Sequence, residues 1–269
     1  MAQIKILFFG DIFGQPGIDS VEKILPILKH KHNIDFVLAQ GENISGRKGL
    51  NLQDYKKLKT IGIDAFTIGN HIWANEEIYS FVDNEDIIRP LNINDTYPGS
   101  GVRYFKVKNH TLAIVSLMGV AFNPLLKPWK EEYANNFFDS IDHFLSNNTS
   151  DFTIVDFHAE TTSEKNVFAL YVDGQVDAVC GTHTHVQTSD ARKLPNNTLY
   201  ITDVGMCGPQ DSAIGANFNE VYQKMRFDSW ERFQVSPNNT QINAVILTLN
   251  TNKFKSKIKT INLRDVIVY

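Results

Sequence analysis

The chain has 269 residues, with 26 basic and 30 acidic side chains and a formal net charge of −4. That length supports a large buried core, and the acidic balance gives no general attraction for nucleic acid or an anionic membrane surface. Apolar residues make up 42% and charged residues 21%, ordinary values that exclude a disordered or fibrous chain.

The apolar start, Ile4 to Phe9, is cut short by Gly10-Asp11, so it does not read as a signal peptide. The longest apolar stretch, Leu112 to Phe122, is too short to span a bilayer. Cys180 and Cys207 form neither a disulfide framework nor a CxxC pair. They read as buried free thiols, and a cytoplasmic location is expected.

Ile4 to Phe9 is strand-like and ends in Gly10-Asp11. Val21, Ile24, Leu25 and Leu28 then recur at helical spacing, with Pro26 a blemish. A second strand, residues 35–39, ends in Gly41-Glu42-Asn43 and leads to a helix near residues 51–61. A third, Ala65 to Ile68, ends in Gly69-Asn70-His71, with a helix expected from Asn75, where Glu76 and Glu77 suit the first turn. This alternation predicts an α/β fold with a parallel sheet. Residues 104–117 read as a hairpin, and a helix near 135–146 precedes the strand Phe152 to Phe157, which ends in His158. A helix around 163–171 leads to the strand Val176 to Cys180, followed by Gly181-Thr182-His183-Thr184-His185. Leu199 to Thr202 is a further strand, and Ile242 to Leu249 is expected to pair with Ile258 to Leu263. No low-complexity linker or repeat interrupts residues 1–269, so a single domain is expected.

The polar residues fall at strand ends: Asp11, Glu42-Asn43, Asn70-His71, His158, and His183 with His185. In an open α/β sheet, ligands bind at the carboxyl ends of strands. Each cluster alone also suits a turn or helix cap, but five coinciding clusters are hard to assign to caps. If residues 183–185 are extended, their two imidazoles project the same way, to share one metal or reach one each of a pair. Two carboxylates, two carboxamides and four imidazoles, with no cysteine, favour iron, manganese or zinc over thiolate-bound metals.

These strings resemble the calcineurin-like metallophosphoesterases, and within them the bacterial YmdB-type phosphodiesterases. The resemblance runs over nearly the whole chain. It includes Gly10 through Gly17, Gly69-Asn70-His71-Ile72-Trp73, Asp156-Phe157-His158-Ala159-Glu160, Gly181 through Thr188, and Ile201 through Met206. Against the broad superfamily, Phe13 stands where a histidine is usual and Glu42 where an aspartate bridges the metals. In the YmdB-like branch Glu is the expected bridge, and the next residue, here Asn43, supplies the missing ligand.

The resemblance implies a four-layer α/β/β/α sandwich, with two mixed sheets flanked by helices. It implies two metal ions, iron or alternatively manganese. Asp11, Glu42, Asn43 and His185 would hold the first, and Glu42, Asn70, His158 and His183 the second. It implies hydrolysis of 2′,3′- and 3′,5′-cyclic nucleotides to nucleoside monophosphates by a metal-activated hydroxide, with His71 as proton donor. His71 also reads as a residue that merely orients Asn70 or a phosphate. The partner expected is therefore a small phosphodiester; no membrane and no long nucleic acid is expected, and homo-oligomers are common among such proteins. A phosphomonoesterase on nucleotides or phosphoproteins, or a metal-bound regulator acting through partners, remains the alternative.

Other polar residues are ambiguous. Thr162-Ser163-Glu164-Lys165, soon after His158, suits the pocket lining, with Thr162 or Ser163 as well suited to a helix N-cap, and Thr182 and Thr184 suit backbone contacts. Asp203 reads as a partner for a ligand histidine or as a plain turn residue. Lys253, Lys255, Lys257 and Lys259 alternate as one solvated strand face. Phe13, Trp73, Phe122 and Trp129 are candidates for base contact, each better suited to core or loop packing. His30, His32, His110 and His143 fall on helix or hairpin surfaces.

Overall fold

A computed structural model describes residues 3–266. The strands are β1 Gln3–Phe9, β2 Asp11–Ile12, β3 Phe36–Gln40, β4 Ala65–Thr67, β5 Ile87–Ile88, β6 Val102–Val107 and β7 His110–Met118. They continue as β8 Phe152–His158, β9 Ala178–Thr182, β10 Arg192–Lys193, β11 Leu199–Ile201, β12 Met206–Pro209, β13 Thr240–Asn250 and β14 Lys257–Val266. The α-helices are α1 Gly14–His32, α2 Leu52–Ile61, α3 Phe137–Asn147, α4 Thr162–Tyr171 and α5 Phe218–Phe227.

Among the described residues the strands form one sheet of eight and one of six. The first runs β2-β12-β13-β1-β3-β4-β5, with β14 also on β13; the second runs β10-β11-β9-β8-β7-β6. β1, β3, β4 and β5 are mutually parallel, as are β7, β8, β9 and β11, while antiparallel partners complete each sheet. The hairpin β6–β7 and the pairing of β13 with β14 match the sequence expectation.

Side-chain alternation explains the layering. On β1, Ile4, Ile6 and Phe8 face one way and Leu7 and Phe9 the other. The first set joins Leu112, Ile114, Phe152 and Ile154 in a core between the two sheets. The second set packs beneath α1 and α2, through Val21, Leu25, Leu28 and Leu58. On the far side, Val115, Phe157 and Val179 pack against Ile141 and Phe144 of α3 and Phe168 of α4. Three cores thus hold four layers, helix, sheet, sheet and helix. Strands buried on both faces must be apolar at nearly every position, which is why β1, β3, β8 and β9 read as continuous apolar runs. Pro26 sits inside α1 on its exposed side; there the hydrogen bond it cannot make is left to solvent.

Three local expectations are corrected. Residues 76–80 form a 3₁₀ turn rather than an α-helix, capped by the Asn75 side chain accepting from Glu77 N–H. Burying Trp73, Ile78 and Phe81 over nine residues favours the tighter turn before the chain enters β5. The N-cap of α4 is Thr161, not Thr162 or Ser163; its hydroxyl accepts from Glu164 N–H. Lys253 and Lys255 lie in a 3₁₀ turn, so only Lys257 and Lys259 share a strand face. The free thiols of Cys180 and Cys207 are buried, as expected.

Candidate metal centre

The carboxyl ends of β1, β3 and β4 in one sheet and of β8 and β9 in the other meet at one rim. Each delivers its polar cluster there. Asp11, Glu42, Asn43, His158 and His185 are buried, and Asn70, His71 and His183 are partly exposed.

Two groups of donors share one carboxylate. In the first, His158 Nε2 lies 3.2 Å from Glu42 Oε1, 3.1 Å from Asn70 Oδ1 and 2.9 Å from His183 Nδ1. Ligand atoms of Glu42, His158 and His183 all fall within 4.8 Å of one another. In the second, Asn43 Nδ2 donates to Asp11 Oδ1 and to Glu42 Oε1, each at 3.3 Å, and stands 3.2 Å from His185 Nε2. His185 Nε2 is 3.6 Å from Asp11 Oδ1. His71 stands at the side of the cluster, its Nδ1 3.0 Å from Glu42 Oε1 and 3.1 Å from Asn43 Oδ1, and its backbone N–H donates to Glu42 Oε2.

The outer nitrogen of each inward-facing imidazole has an acceptor. His158 Nδ1 lies 2.8 Å from Thr182 Oγ1, which in turn donates to Asp156 Oδ1 at 2.7 Å. His185 Nδ1 donates to the Ile214 carbonyl at 2.8 Å. His183 Nε2 is 3.0 Å from Glu160 Oε2. The carbonyl and carboxylate favour a proton on the outer nitrogen of His185 and His183 and a lone pair on the inner one, while at His158 Nδ1 the Thr182 acceptor competes with the Gln40 Nε2 donor, 3.2 Å away. Three imidazole lone pairs, two carboxylates and two carboxamides then converge, and the Asn43 Nδ2 amide is the side-chain donor among them. A donor set of this kind fits metal cations of the nitrogen- and oxygen-preferring class.

The electrostatics agree. Burial opposes charge on His158, but attraction to Glu42 outweighs it and pushes the pKa up to about 9. Burial and the charge on His158 push His183 down to about 3. Burial works against ionised Glu42, yet His158 and His71 hold it well below its ordinary range. Asp11 is likewise lowered against its burial, chiefly by His185. Asp156, fully buried, is raised to about 7 by its desolvation. The same negative charge that favours a proton on His158 would favour a cation in its place.

Residues 183–185 are not extended. His183 and His185 have positive φ, 100° and 64°, so the two imidazoles diverge, one into each donor group, rather than projecting together. Such conformations cost roughly 1–3 kcal/mol each and need outside support. Asp203 supplies it: Oδ2 accepts from Thr184 N–H at 3.1 Å and Thr184 Oγ1 at 2.8 Å. It also pairs with Lys165 Nζ at 2.8 Å, both side chains being essentially inaccessible. Asp203 therefore braces the histidine turn rather than an imidazole; the Thr182 hydroxyl bonds the His158 and Asp156 side chains, and that of Thr184 bonds the Asp203 side chain and the Val186 N–H. Lys165→Ala, which leaves Asp203 without its cation, is expected to cost about 3–5 kcal/mol in denaturant-induced unfolding. An unfolding free energy within 1 kcal/mol of wild type, on the order of normal surface substitutions, would refute this role.

The glycines before the motifs make room. A Cβ on Gly69 would lie 2.2 Å from His158 Cδ2, and one on Gly181 would lie 1.8 Å from the Thr202 carbonyl oxygen. Gly69→Ala is expected to destabilise the fold by ~1–3 kcal/mol through overpacking and to lower bound metal. Melting temperature and elemental analysis check it, and unchanged values for both would count against this placement.

Of the aromatic candidates, Trp73 is buried in a stack with Tyr79 and Tyr97, and Trp129 Nε1 donates to the Asn70 carbonyl. Phe122 is exposed. Phe13 alone among them lines the cavity over the cluster, edge-on to His185. Thr161, Asp156 and Glu160 emerge as supports that local pattern did not assign, and so does Arg47, which carries no spacing signal. The stretch Thr162 to Lys165, expected to line the pocket, does not line the cavity over the cluster; Lys165 is buried against Asp203 instead.

A four-layer sandwich with this donor set at the shared sheet rim defines a metallophosphoesterase of the calcineurin-like class, a metal-dependent hydrolase. A family profile described as "YmdB-like protein" matches residues 7–261. The chain is 38% identical over 266 residues to the 2′,3′-cyclic-nucleotide 2′-phosphodiesterase of Bacillus subtilis strain 168, covering 97% of this chain and 98% of that one. It is also 38% identical to a putative phosphatase/phosphodiesterase of Mycoplasma pneumoniae, covering 99% and 94%. A crystal structure described as a novel phosphatase from Mycoplasma pneumoniae superposes with a TM-score of 0.91 at 36% identity, covering 98% of this chain and 95% of that one. The chain belongs to the YmdB-like family. Among the described residues, no helix is long and apolar enough to cross a membrane.

Proposed function

We propose that this protein is a dimetal phosphodiesterase that hydrolyses cyclic nucleotides, 2′,3′-linked, 3′,5′-linked or both, to nucleoside monophosphates. The observation that carries the reading is the position of Glu42, whose Oε1 belongs to both donor groups at once. A carboxylate is the side chain whose two oxygens can serve two cations. Asp11, Glu42, Asn43 and His185 would hold one metal, and Glu42, Asn70, His158 and His183 the other. The absence of thiolate suits iron, manganese or zinc, and the family resemblance favours iron, with manganese as the alternative. The 2′,3′-cyclic-nucleotide activity named for the Bacillus subtilis relative supports the substrate class.

When bound, two metals lower the pKa of water and offset phosphate charge. The rest falls to this chain. Asp203 and Lys165 hold His183 and His185 in place, and Thr182 with Asp156 orients His158. His71 keeps its Nδ1 against Glu42 and Asn43 and lines the cavity; as an imidazolium it would give the Nε2 proton to the departing ribose oxygen and be left as neutral imidazole. General acid catalysis of this kind contributes typically ~10²–10⁴-fold.

A phosphomonoesterase reading draws on the names of the Mycoplasma pneumoniae proteins. One panel separates the two. Protein loaded with manganese or iron is assayed on 2′,3′-cAMP, 3′,5′-cAMP, the corresponding monophosphates and a long RNA. Cyclic-nucleotide turnover above that of the monophosphates is expected. Release of inorganic phosphate from the monophosphates alone would establish the monoesterase, and no turnover with two metals bound would favour a regulator acting through partners.

A further inference from the structure

The donor cluster makes only one side of its cavity, which measures about 550 Å³, within the ~300–1,000 Å³ usual for small-molecule sites. The opposite side is apolar: Ile214, Val221, Met225 and Phe233, all from the segment between β12 and β13. Met225 is 84% exposed and Ile214 56%. Large apolar groups left in water beside a polar cluster call for an occupant.

Arg47, on the loop that leaves Glu42 and Asn43, enters the same cavity. Its guanidinium carbon stands 5.4 Å from the centre of the Phe233 ring, within cation–π range. Among the described residues no carboxylate lies within ion-pair distance of Arg47 or Lys48. The charged neighbour of Arg47 is the like-charged Arg232, so among the described residues the five guanidinium donors have a ring face and a second cation beside them and no carboxylate partner.

The apolar side is tied to the metal cluster. His185 donates to the Ile214 carbonyl, and Ala216 bridges to Val235, two residues beyond Phe233. The distance from cluster to wall is therefore set by the fold rather than by a free loop. A ligand that fits must join a phosphate to a flat, apolar-faced group with acceptors on its edge.

We infer that Phe233, Met225, Val221 and Arg47 form a subsite for the nucleoside of the substrate, with its base on the apolar wall and Arg47 at the base edge. The inference rests on the proposed phosphodiesterase function and names the part of the substrate this chain would recognise. Aromatic and methionine side chains accept any base face, and no buried polar side chain on the wall reads the base edge. The wall therefore stacks any of the four bases, and Arg47, a donor only, favours those that present acceptors to it.

Equilibrium binding to the full-length, manganese-loaded protein tests this without turnover. The probes are adenosine 3′-monophosphate and inorganic phosphate, titrated by calorimetry into wild type, Phe233→Ala, Met225→Ser and Arg47→Ala. The nucleotide is expected to bind wild type about tenfold more tightly than phosphate, consistent with stacking of one base. That ratio is expected to collapse towards one in Phe233→Ala and Arg47→Ala. Equal affinities in wild type, or an unchanged ratio in both variants, would overturn the subsite. So would Met225→Ser and Phe233→Ala altering only the oligomeric state, because the wall would then be covered by a second copy of the chain. Hydrolysis of methyl 4-nitrophenyl phosphate, a diester without a nucleoside, is measured alongside. Its turnover with no nucleotide preference would sink the subsite and leave the diesterase standing, whereas its absence together with cyclic-nucleotide inactivity would sink the diesterase.

Discussion

Glu42→Ala is expected to strip metal from both halves of the centre and to reduce turnover by at least ~10³-fold, since metal-ion catalysis supplies several kcal/mol of stabilisation. Glu42 Oε1 is the atom common to both donor groups, within 3.3 Å of the Asn43 carboxamide and 3.2 Å of His158 Nε2. Its loss also removes the leading charge that raises the His158 pKa, so burial then favours neutral imidazole. The remaining donors have less negative charge with which to hold a cation. Glu42→Gln separates charge from shape: it keeps the side-chain volume and loses the carboxylate. Elemental analysis of both variants, with steady-state assay on 2′,3′-cAMP, is the measurement. Two metals retained per chain in Glu42→Ala would remove the bridging role.

His71→Ala is expected to do the opposite, keeping both metals and losing on the order of 10²–10⁴ in turnover. The backbone N–H of His71, not only its ring, donates to Glu42 Oε2 at 3.0 Å, so truncation leaves that oxygen satisfied. The ring is 24% exposed while Glu42 is buried, a placement suited to meeting substrate. The size of the loss should depend on the leaving group. A cyclic nucleotide expels a ribose alkoxide that needs a proton, whereas 4-nitrophenolate departs without one. The substitution should therefore slow cyclic-nucleotide hydrolysis far more than hydrolysis of a 4-nitrophenyl diester. Equal losses on both, or loss of metal, would return His71 to a purely orienting role.

Sequence alone settled the strand-end clusters and the fold class. Strands buried on both faces must be apolar runs, so a lone Asp11, Glu42, Asn70 or His158 at the end of one stands out without coordinates. The order of those clusters carried the family resemblance. Helix and hairpin positions were legible because periodicity and turn residues are local. The partnerships were not. Alternation suggested that His183 and His185 project together, but left-handed turns, braced by Asp203 and Lys165, send them into different donor groups. Asn75 begins a 3₁₀ turn and Thr161 takes the cap expected of its neighbours, because packing and cap geometry outweigh local propensity. The meeting of Arg47 with Phe233, and the opposite shifts of His158 and His183, arise from residues distant in the chain sharing a desolvated space. Charge and pairing in such a space depend on what is nearby in three dimensions, which only the tertiary structure decides.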